Sequence, residues 1–172
     1  VMVEVKVCIP RELPAVLTAS DGDLLDTFRR KMGAGILFRF VDENNYHLFR
    51  IAGTDGMVLG KMKDGKWVDL ANPRAEQVLK SFFRFSPAKT DWYALRIVAE
   101  GSEMSCYISN GPLTLDQWGR PAEKPIDYIL VARVRDSDAP LMGKVGLTTF
   151  RTNACFAEFV AVEERGLAAA MR

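Results

Sequence analysis

Six arginine and aromatic side chains are the strongest candidates for ligand chemistry in this sequence. They are Arg39, Tyr46, Arg50, Trp92, Arg96 and Tyr107. Aromatic ring faces stack on flat ligand surfaces, and guanidinium groups bond hydroxyls or carboxylates. Grouped on the outside of a fold, such side chains would hold a glycan or a protein partner. They can act together only if the strands that carry them turn them outward.

A predicted hairpin over residues 35–51 positions the first three candidates. Two runs of β-branched, aromatic and aliphatic residues flank the polar tetrad 42–45, which is typical of a turn. Cross-strand register about this tetrad then assigns the two faces. The core face carries Ile36, Phe38, Phe40, Phe49 and Ile51, with His47 opposite Phe40, and the outer face carries Leu37, Arg39, Val41, Tyr46, Leu48 and Arg50.

A second predicted hairpin, over residues 92–109, positions the other three candidates. Its turn is expected at residues 100–102. The inner face then carries Tyr93, Leu95, Ile97, Met104, Cys106 and Ile108, and the outer face carries Trp92, Ala94, Arg96, Ser105 and Tyr107. The alternative is that insert segments cover both outer faces and that the arginines form structural ion pairs. A slip of one residue would reverse every assignment.

Other site chemistry is weakly supported by the sequence. His47 is the only histidine and falls on the predicted core side, where a packing role is the simpler interpretation. No Gly-x-Ser-x-Gly motif or phosphate-binding glycine motif occurs. Calcium ligands could come from the tetrad 42–45, Asp55, Asp136 and Asp138, but turn chemistry explains the tetrad better. We therefore expect no metal and no cofactor.

The composition limits the classes of binding partner and the cellular compartment that we expect for this protein. The 23 basic and 22 acidic side chains nearly cancel, which disfavours nucleic acid or an anionic membrane as a partner. No apolar run is long enough to insert in a membrane. The chain begins at Val1 without a signal peptide, so we expect an excised domain or a processed product. The odd cysteine count and the absence of Asn-x-Ser/Thr sequons tilt the expectation towards an intracellular setting.

The three cysteines are widely spaced, which argues against zinc. Reduced core thiols are one interpretation, and one disulfide with a free thiol is the other. Cys8 and Cys155 fall in the first and last predicted strands, so they are the pair to test.

The order of predicted elements gives the fold class. About ten strands, most joined by short turns, are interrupted by predicted short helices at residues 20–31 and 73–84. Consecutive hairpins cannot form a parallel sheet, and two stacked sheets bury many one-sided strands. The prediction is an all-β, two-sheet antiparallel jelly-roll sandwich with two short helical inserts, over residues 1–163, followed by a short tail at 164–172.

The same motifs, in this order, resemble the concanavalin A-like (laminin G-like) jelly rolls. The resemblance is carried by the 35–51 hairpin, by residues 92–111, and by Gly143–Phe150 with Phe156 and Phe159 after it. It implies a sandwich of two curved sheets with a ligand on one face or at the loop rim, and in some members calcium at the rim. Glucanases of this superfamily carry a Glu-x-Asp-x-x-Glu strand, which is absent here.

These observations favour a non-catalytic binding module of a larger protein. Its expected ligand is a glycan or a protein surface, recognised through the outer face of one sheet or the loop rim. The alternative is an intracellular protein-interaction or scaffold domain without a sugar site. A glycoside hydrolase-like enzyme is the third hypothesis, and the absence of paired catalytic carboxylates counts against it.

Overall fold

The computed structural model describes residues 1–8, 33–52, 56–71, 91–150 and 154–163. All regular structure in these residues is β-strand. The strands are β1 (Met2–Cys8), β2 (Gly33–Asp42), β3 (Asn45–Ala52), β4 (Gly56–Lys63), β5 (Lys66–Ala71), β6 (Trp92–Glu100), β7 (Glu103–Ser109), β8 (Tyr128–Arg135), β9 (Lys144–Phe150) and β10 (Cys155–Val162). The predicted helices at 20–31 and 73–84 and the tail 164–172 lie outside these ranges. Over the described ranges, no helix exists that could cross a bilayer.

The strands form two antiparallel sheets of five, which confirms the predicted all-β sandwich. The first sheet, which we call sheet A, has the order β10-β1-β6-β7-β8. The second, sheet B, has the order β5-β4-β3-β2-β9. Strands β2 to β5 and β6 to β8 are joined to their chain neighbours as hairpins, while β1 and β9 pair with strands distant in sequence.

Alternating side chains from both sheets meet in one core. Its fully buried members include Val3, Val5, Ile36, Phe38, Phe49, Ile51, Leu59, Tyr93, Leu95, Ile97, Met104, Cys106 and Ile108. The predicted inner faces of both hairpins supply most of them, so period-two alternation identified the core correctly. The one exception on the predicted core face is Phe40, which is only half-buried.

A β-bulge at Arg39 explains that exception. Phe38 lies opposite His47, and Asp42 lies opposite Asn45, so β2 has two extra residues between these pairs. Arg39 adopts the left-handed conformation, with φ 50°, which turns its side chain into the protein, where it is 3% exposed. The predicted outward orientation of Arg39 was therefore wrong, as was the predicted pairing of His47 with Phe40.

The bulge also moves Phe40 out of the core. Its ring stacks on Tyr46, with 6.1 Å between ring centroids. Gly143, which directly precedes β9, lies against the backbone of Arg39 so closely that a β-carbon there would overlap it. Glycine at this position therefore permits the bulged strand and the β8–β9 loop to come together.

Candidate functional site

Three charged or polar side chains are buried together at one end of the sandwich. Lys61 Nζ donates to both carboxylate oxygens of Asp136, at 2.8 and 2.9 Å. His47 Nε2 lies 2.9 Å from Asp136 Oδ2. The exposed fractions of His47, Lys61 and Asp136 are 1%, 7% and 7%, so the hydrogen bonds form away from bulk water, where each is worth more.

Strand register brings these groups together. His47 on β3 lies directly opposite Lys61 on β4, and both point to the core side of sheet B. Asp136 directly follows β8 of sheet A, and it donates its backbone N–H to the Ser102 carbonyl at 2.8 Å. The cluster therefore joins the two sheets across the end of the core.

The local environment sets the charge of each group. Burial tends to raise the pKa of Asp136, but hydrogen bonds from Lys61 and His47 outweigh it and hold that pKa below its usual range. Burial lowers the pKa of His47, and the charges of Arg39 and Lys61 lower it further against the opposing effect of Asp136. At neutral pH the structure thus favours a carboxylate at Asp136 and an uncharged imidazole at His47.

Arg39 adds a second buried cation to this end of the sandwich. One of its terminal nitrogens, Nη2, donates to the carbonyl of Gly101 in the β6–β7 turn. Its Nε and Nη1 are buried and have no hydrogen-bond partner among the residues that the structure describes. Burial lowers the pKa of Arg39, while the nearby Asp136 charge opposes that shift. We call Arg39, His47, Lys61 and Asp136 the buried cluster.

A cavity of about 300 Å³ opens beside the buried cluster, at the loop rim. Its lining residues are Val41, Asn45, Tyr46, His47, Lys61, Met62, Lys63, Asp138, Ala139 and Pro140. We call this cavity the rim pocket. His47 and Lys61 belong to both the pocket wall and the buried cluster. The volume lies at the lower end of the range of about 300–1,000 Å³ that is usual for small-ligand sites.

The outer part of the rim pocket is polar. Lys63 Nζ bonds Asp138 Oδ2 at 3.0 Å, in an exposed ion pair. Asn45 Nδ2 donates to Asp42 Oδ1 at 3.0 Å, and Asn45 Oδ1 accepts from the Asp64 backbone at 3.2 Å. Apolar wall residues with a few converging polar groups are typical of a site that orients a polar organic ligand.

Of the six candidates from the sequence, Tyr46 lines the rim pocket, and Arg39 belongs to the adjoining cluster. Arg50 is half-buried on the outer face of sheet B, where its guanidinium carbon lies 4.9 Å from the centre of the Phe150 ring. Arg50 therefore already has a cation–π partner within the protein.

The other three candidates, Trp92, Arg96 and Tyr107, lie on sheet A and are half-buried. Arg96 bonds Glu4 through Nε at 2.8 Å, and its guanidinium carbon lies 3.9 Å from the centre of the Tyr128 ring. These contacts match the alternative in which the arginines form structural ion pairs. The structure thus divides the six candidates between two sheets, and the binding role of each remains a prediction.

Sequence reasoning missed Lys61 as a site residue and considered Asp136 and Asp138 only as calcium ligands. A signal for Lys61 existed, because a lysine at a core-facing position of an alternating strand requires a buried partner. Asp136 was not identifiable as that partner, since it lies 75 residues away along the chain.

Two further expectations concern metals and thiols. Among the described residues, no group of three or more His, Cys, Asp or Glu side chains could hold a metal ion. Asp42 instead accepts hydrogen bonds from the backbone of Asn44 and the side chain of Asn45, as turn chemistry predicts. Cys8 and Cys155 occupy directly paired positions of β1 and β10 and are free thiols.

Comparison with known proteins gives the fold and little more. No protein-family model matches the chain, and no curated protein shows significant sequence similarity to it. The carbohydrate-binding module CBM66 from Bacillus subtilis aligns with 92% of this chain and 71% of its own, with a TM-score of 0.59 and 17% identity. At that identity the similarity concerns the fold alone.

Two other solved structures align less well. The GH43 protein BlXynB from Bacillus licheniformis, solved as a mutant, aligns with 92% of this chain and 26% of its own, at 14% identity and TM-score 0.47. Sheep galectin-11 aligns with 91% and 88%, at 12% identity and TM-score 0.44. Membership of the concanavalin A-like superfamily remains a prediction.

Proposed function

We propose that this chain is a non-catalytic glycan-binding module and that the rim pocket holds the sugar. The observation that carries the proposal is the pocket itself, where Tyr46, Met62 and Pro140 give apolar walls beside the polar groups of Asn45 and Lys63. Sugar rings present both apolar C–H faces and hydroxyl groups, so they need this combination. The fold similarity to a carbohydrate-binding module supports the same class of ligand.

The size and position of the pocket favour a short glycan segment. A cavity of about 300 Å³ at the loop rim is suited to a chain end or a single side-branch residue, not to a long polymer lying along a sheet. His47 and Lys61 form its inner wall and are fixed by Asp136. Rigid polar groups of this kind orient a ligand at low entropic cost.

We assign the pocket to binding because its ionisable groups are committed to one another. Both oxygens of Asp136 accept from Lys61, and one also contacts His47. Among the described residues that line the pocket, the only carboxylate is that of Asp138. Hydrolysis of glycosidic bonds generally uses two carboxyl groups that flank the bond.

A glycan array probed with the wild-type chain and with Ala139→Phe tests the proposal. Ala139 lines the pocket, and a phenylalanine there would fill it. Ala122→Phe is the matched control, because Ala122 is also half-buried but belongs to the loop between β7 and β8. We expect glycan hits that Ala139→Phe abolishes and Ala122→Phe keeps. No hits, or hits that survive Ala139→Phe, would refute the proposal.

A protein partner is the second candidate function, and exposed apolar side chains favour it. Leu141 and Met142 in the β8–β9 loop are 68% and 83% exposed, and Trp118 in the β7–β8 loop is 71% exposed. Exposed large apolar side chains on loops are common contact residues. Loss of partner co-purification in Leu141→Ser/Met142→Ser, with an empty glycan array, would favour this function over the first.

A further inference from the structure

The buried cluster contains more positive charge than negative charge. Arg39 and Lys61 are cations, Asp136 is the one carboxylate among the described buried residues, and His47 is favoured in its uncharged form. The cluster therefore has a net charge of about +1 by ordinary ionisation at neutral pH. A buried charge without a counter-ion is costly.

Hydrogen-bond donors in the cluster are also in excess. Within the described part of the chain, Arg39 Nε and Nη1 are buried donors without a partner, while every oxygen of Asp136 already accepts. The uncharged His47 ring uses its one N–H on Asp136 Oδ2. Burying a donor without a partner destabilises the folded protein. Nearly all such groups in folded proteins have a partner, so two unpaired donors on one guanidinium indicate a missing acceptor.

Arg39 is held in this position against its backbone preference. Its φ of 50° is rare for a residue with a side chain. The surrounding structure fixes it through the bond to Gly101 and the close approach of Gly143. Strained, buried and incompletely bonded residues are typical of sites that await a ligand.

From these observations we propose that the rim pocket selects glycans that carry an acidic group, a carboxylate or a sulfate ester. That group supplies the missing negative charge and acceptor oxygens to Lys61 and Arg39. The inference rests on the proposed glycan-binding function and narrows its ligand class. Lys61 and His47 form part of the pocket wall, so an anion there lies directly against the cluster. The exposed Lys63–Asp138 pair is neutral overall and does not cancel this preference.

The test is a calorimetric titration of the wild-type chain with matched oligosaccharides. The series contains a neutral oligosaccharide, the corresponding uronic-acid oligosaccharide, the same oligouronide after carboxyl reduction, and a sulfated form. Sodium acetate and sodium sulfate are titrated alone as free anions. We expect one acidic form to bind at least ten-fold more tightly than the neutral and carboxyl-reduced forms, and the free anions to compete only weakly.

Two variants then test whether the buried cluster causes the preference for acidic oligosaccharides. Arg39→Gln removes the buried charge, and we expect it to reduce the acidic-over-neutral ratio to below about three-fold, since it removes a charge-assisted hydrogen bond. Arg133→Gln is the matched control, because Arg133 is exposed on sheet A and bonds Ser105; we expect it to keep the ratio. The oligosaccharide series uses the wild-type chain, so the test survives if Arg39→Gln does not fold.

The outcomes separate this inference from the function on which it rests. Neutral oligosaccharides that bind as tightly as acidic ones, and lose binding in Ala139→Phe, would overturn the inference and leave the glycan-binding proposal intact. Free acetate or sulfate that displaces the acidic glycan at equal concentration would also overturn it, since the site would then take any small anion. Failure of every oligosaccharide to bind would overturn both.

Discussion

Lys61 and Asp136 form a buried ion pair that connects the two sheets at the rim pocket. Lys61 lies on β4 of sheet B, and Asp136 follows β8 of sheet A, with 2.8 Å between Nζ and Oδ1. Lys61 forms part of the pocket wall, and Asp136 behind it bonds His47 in the same wall. The stability of the fold and the proposed glycan binding would therefore depend on the same contact.

Breaking this pair should be more costly than replacing both partners. We expect Lys61→Met to lower the free energy of unfolding by about 3–5 kcal/mol, because it leaves Asp136 buried without its main counter-ion. Lys61→Met/Asp136→Leu should cost clearly less, since no uncompensated carboxylate remains. Denaturant unfolding of the two variants measures the difference. An equal loss of unfolding free energy in both variants would contradict the expectation that an unpaired, buried Asp136 destabilises the protein.

The stability of the protein should decrease as the pH falls below about 6.5, the usual pKa of histidine. The pKa values of His47 and Asp136 are both lowered in the folded protein. The unfolded chain therefore binds more protons, first at His47 and then, below the usual carboxyl range, at Asp136. Thermal melts between pH 7.5 and 5 should show a decline that is smaller in His47→Gln. An identical pH profile in that variant would contradict the assignment.

Gly60 is expected to be intolerant of a side chain. It lies under the indole of Trp67, and a β-carbon there would overlap the ring. We expect Gly60→Ala to cost about 1–3 kcal/mol through overpacking and to change the tryptophan fluorescence. Gly146→Ala is the control, since nothing lies within 4 Å of a β-carbon at that position. A similar loss of stability in Gly60→Ala and Gly146→Ala would indicate an effect of alanine on the backbone instead of overlap with Trp67.

Cys8 and Cys155 are expected to form a disulfide under oxidising conditions. They are directly opposite each other on β1 and β10, and neighbouring antiparallel positions meet the distance requirement of a disulfide. With oxidised glutathione as the oxidant, both thiols should be lost to alkylation in the folded protein. Cys106, buried in the core, should become alkylatable only after unfolding. Continued alkylation of Cys155 in the oxidised sample would show that no such bond forms.

The rim pocket and the outer face of sheet A make opposite predictions for single alanine variants. If the pocket holds the glycan, Tyr46→Ala should weaken binding by about 1 kcal/mol or more, roughly five-fold. Trp92→Ala and Tyr107→Ala should then have little effect, because both lie on sheet A. Glycan titration of the three variants gives the comparison. A larger loss of glycan affinity in Tyr107→Ala than in Tyr46→Ala would indicate that the glycan binds the outer face of sheet A instead.

Much of the fold could be predicted because alternation is a local signal. Buried residues such as Phe38, Phe49, Leu95 and Cys106 recur at every second position, and each hairpin turn is marked by Gly, Asp or Asn. A two-residue bulge preserves that alternation outside the bulge. The predicted faces of β3, β6 and β7 therefore remained correct although the register of the first hairpin did not.

The site could not be predicted to the same degree, for two physical reasons. The inward turn of Arg39 depends on a left-handed backbone conformation that arginine does not favour, so the sequence gives no sign of it. The cluster also requires a contact between His47 and Asp136, which are 89 residues apart. Such contacts arise when the two sheets stack, and alternation within one strand does not encode them.

The central claim is that the rim pocket is where this protein binds a glycan. Its most direct test is a titration of the wild-type chain with the best array ligand, followed through backbone amide chemical shifts. We predict the largest shifts at Asn45, Tyr46, Lys63 and residues 136–140, with none of that size at Tyr107. Shifts centred on β6 and β7 of sheet A, with the pocket residues unchanged, would contradict the account.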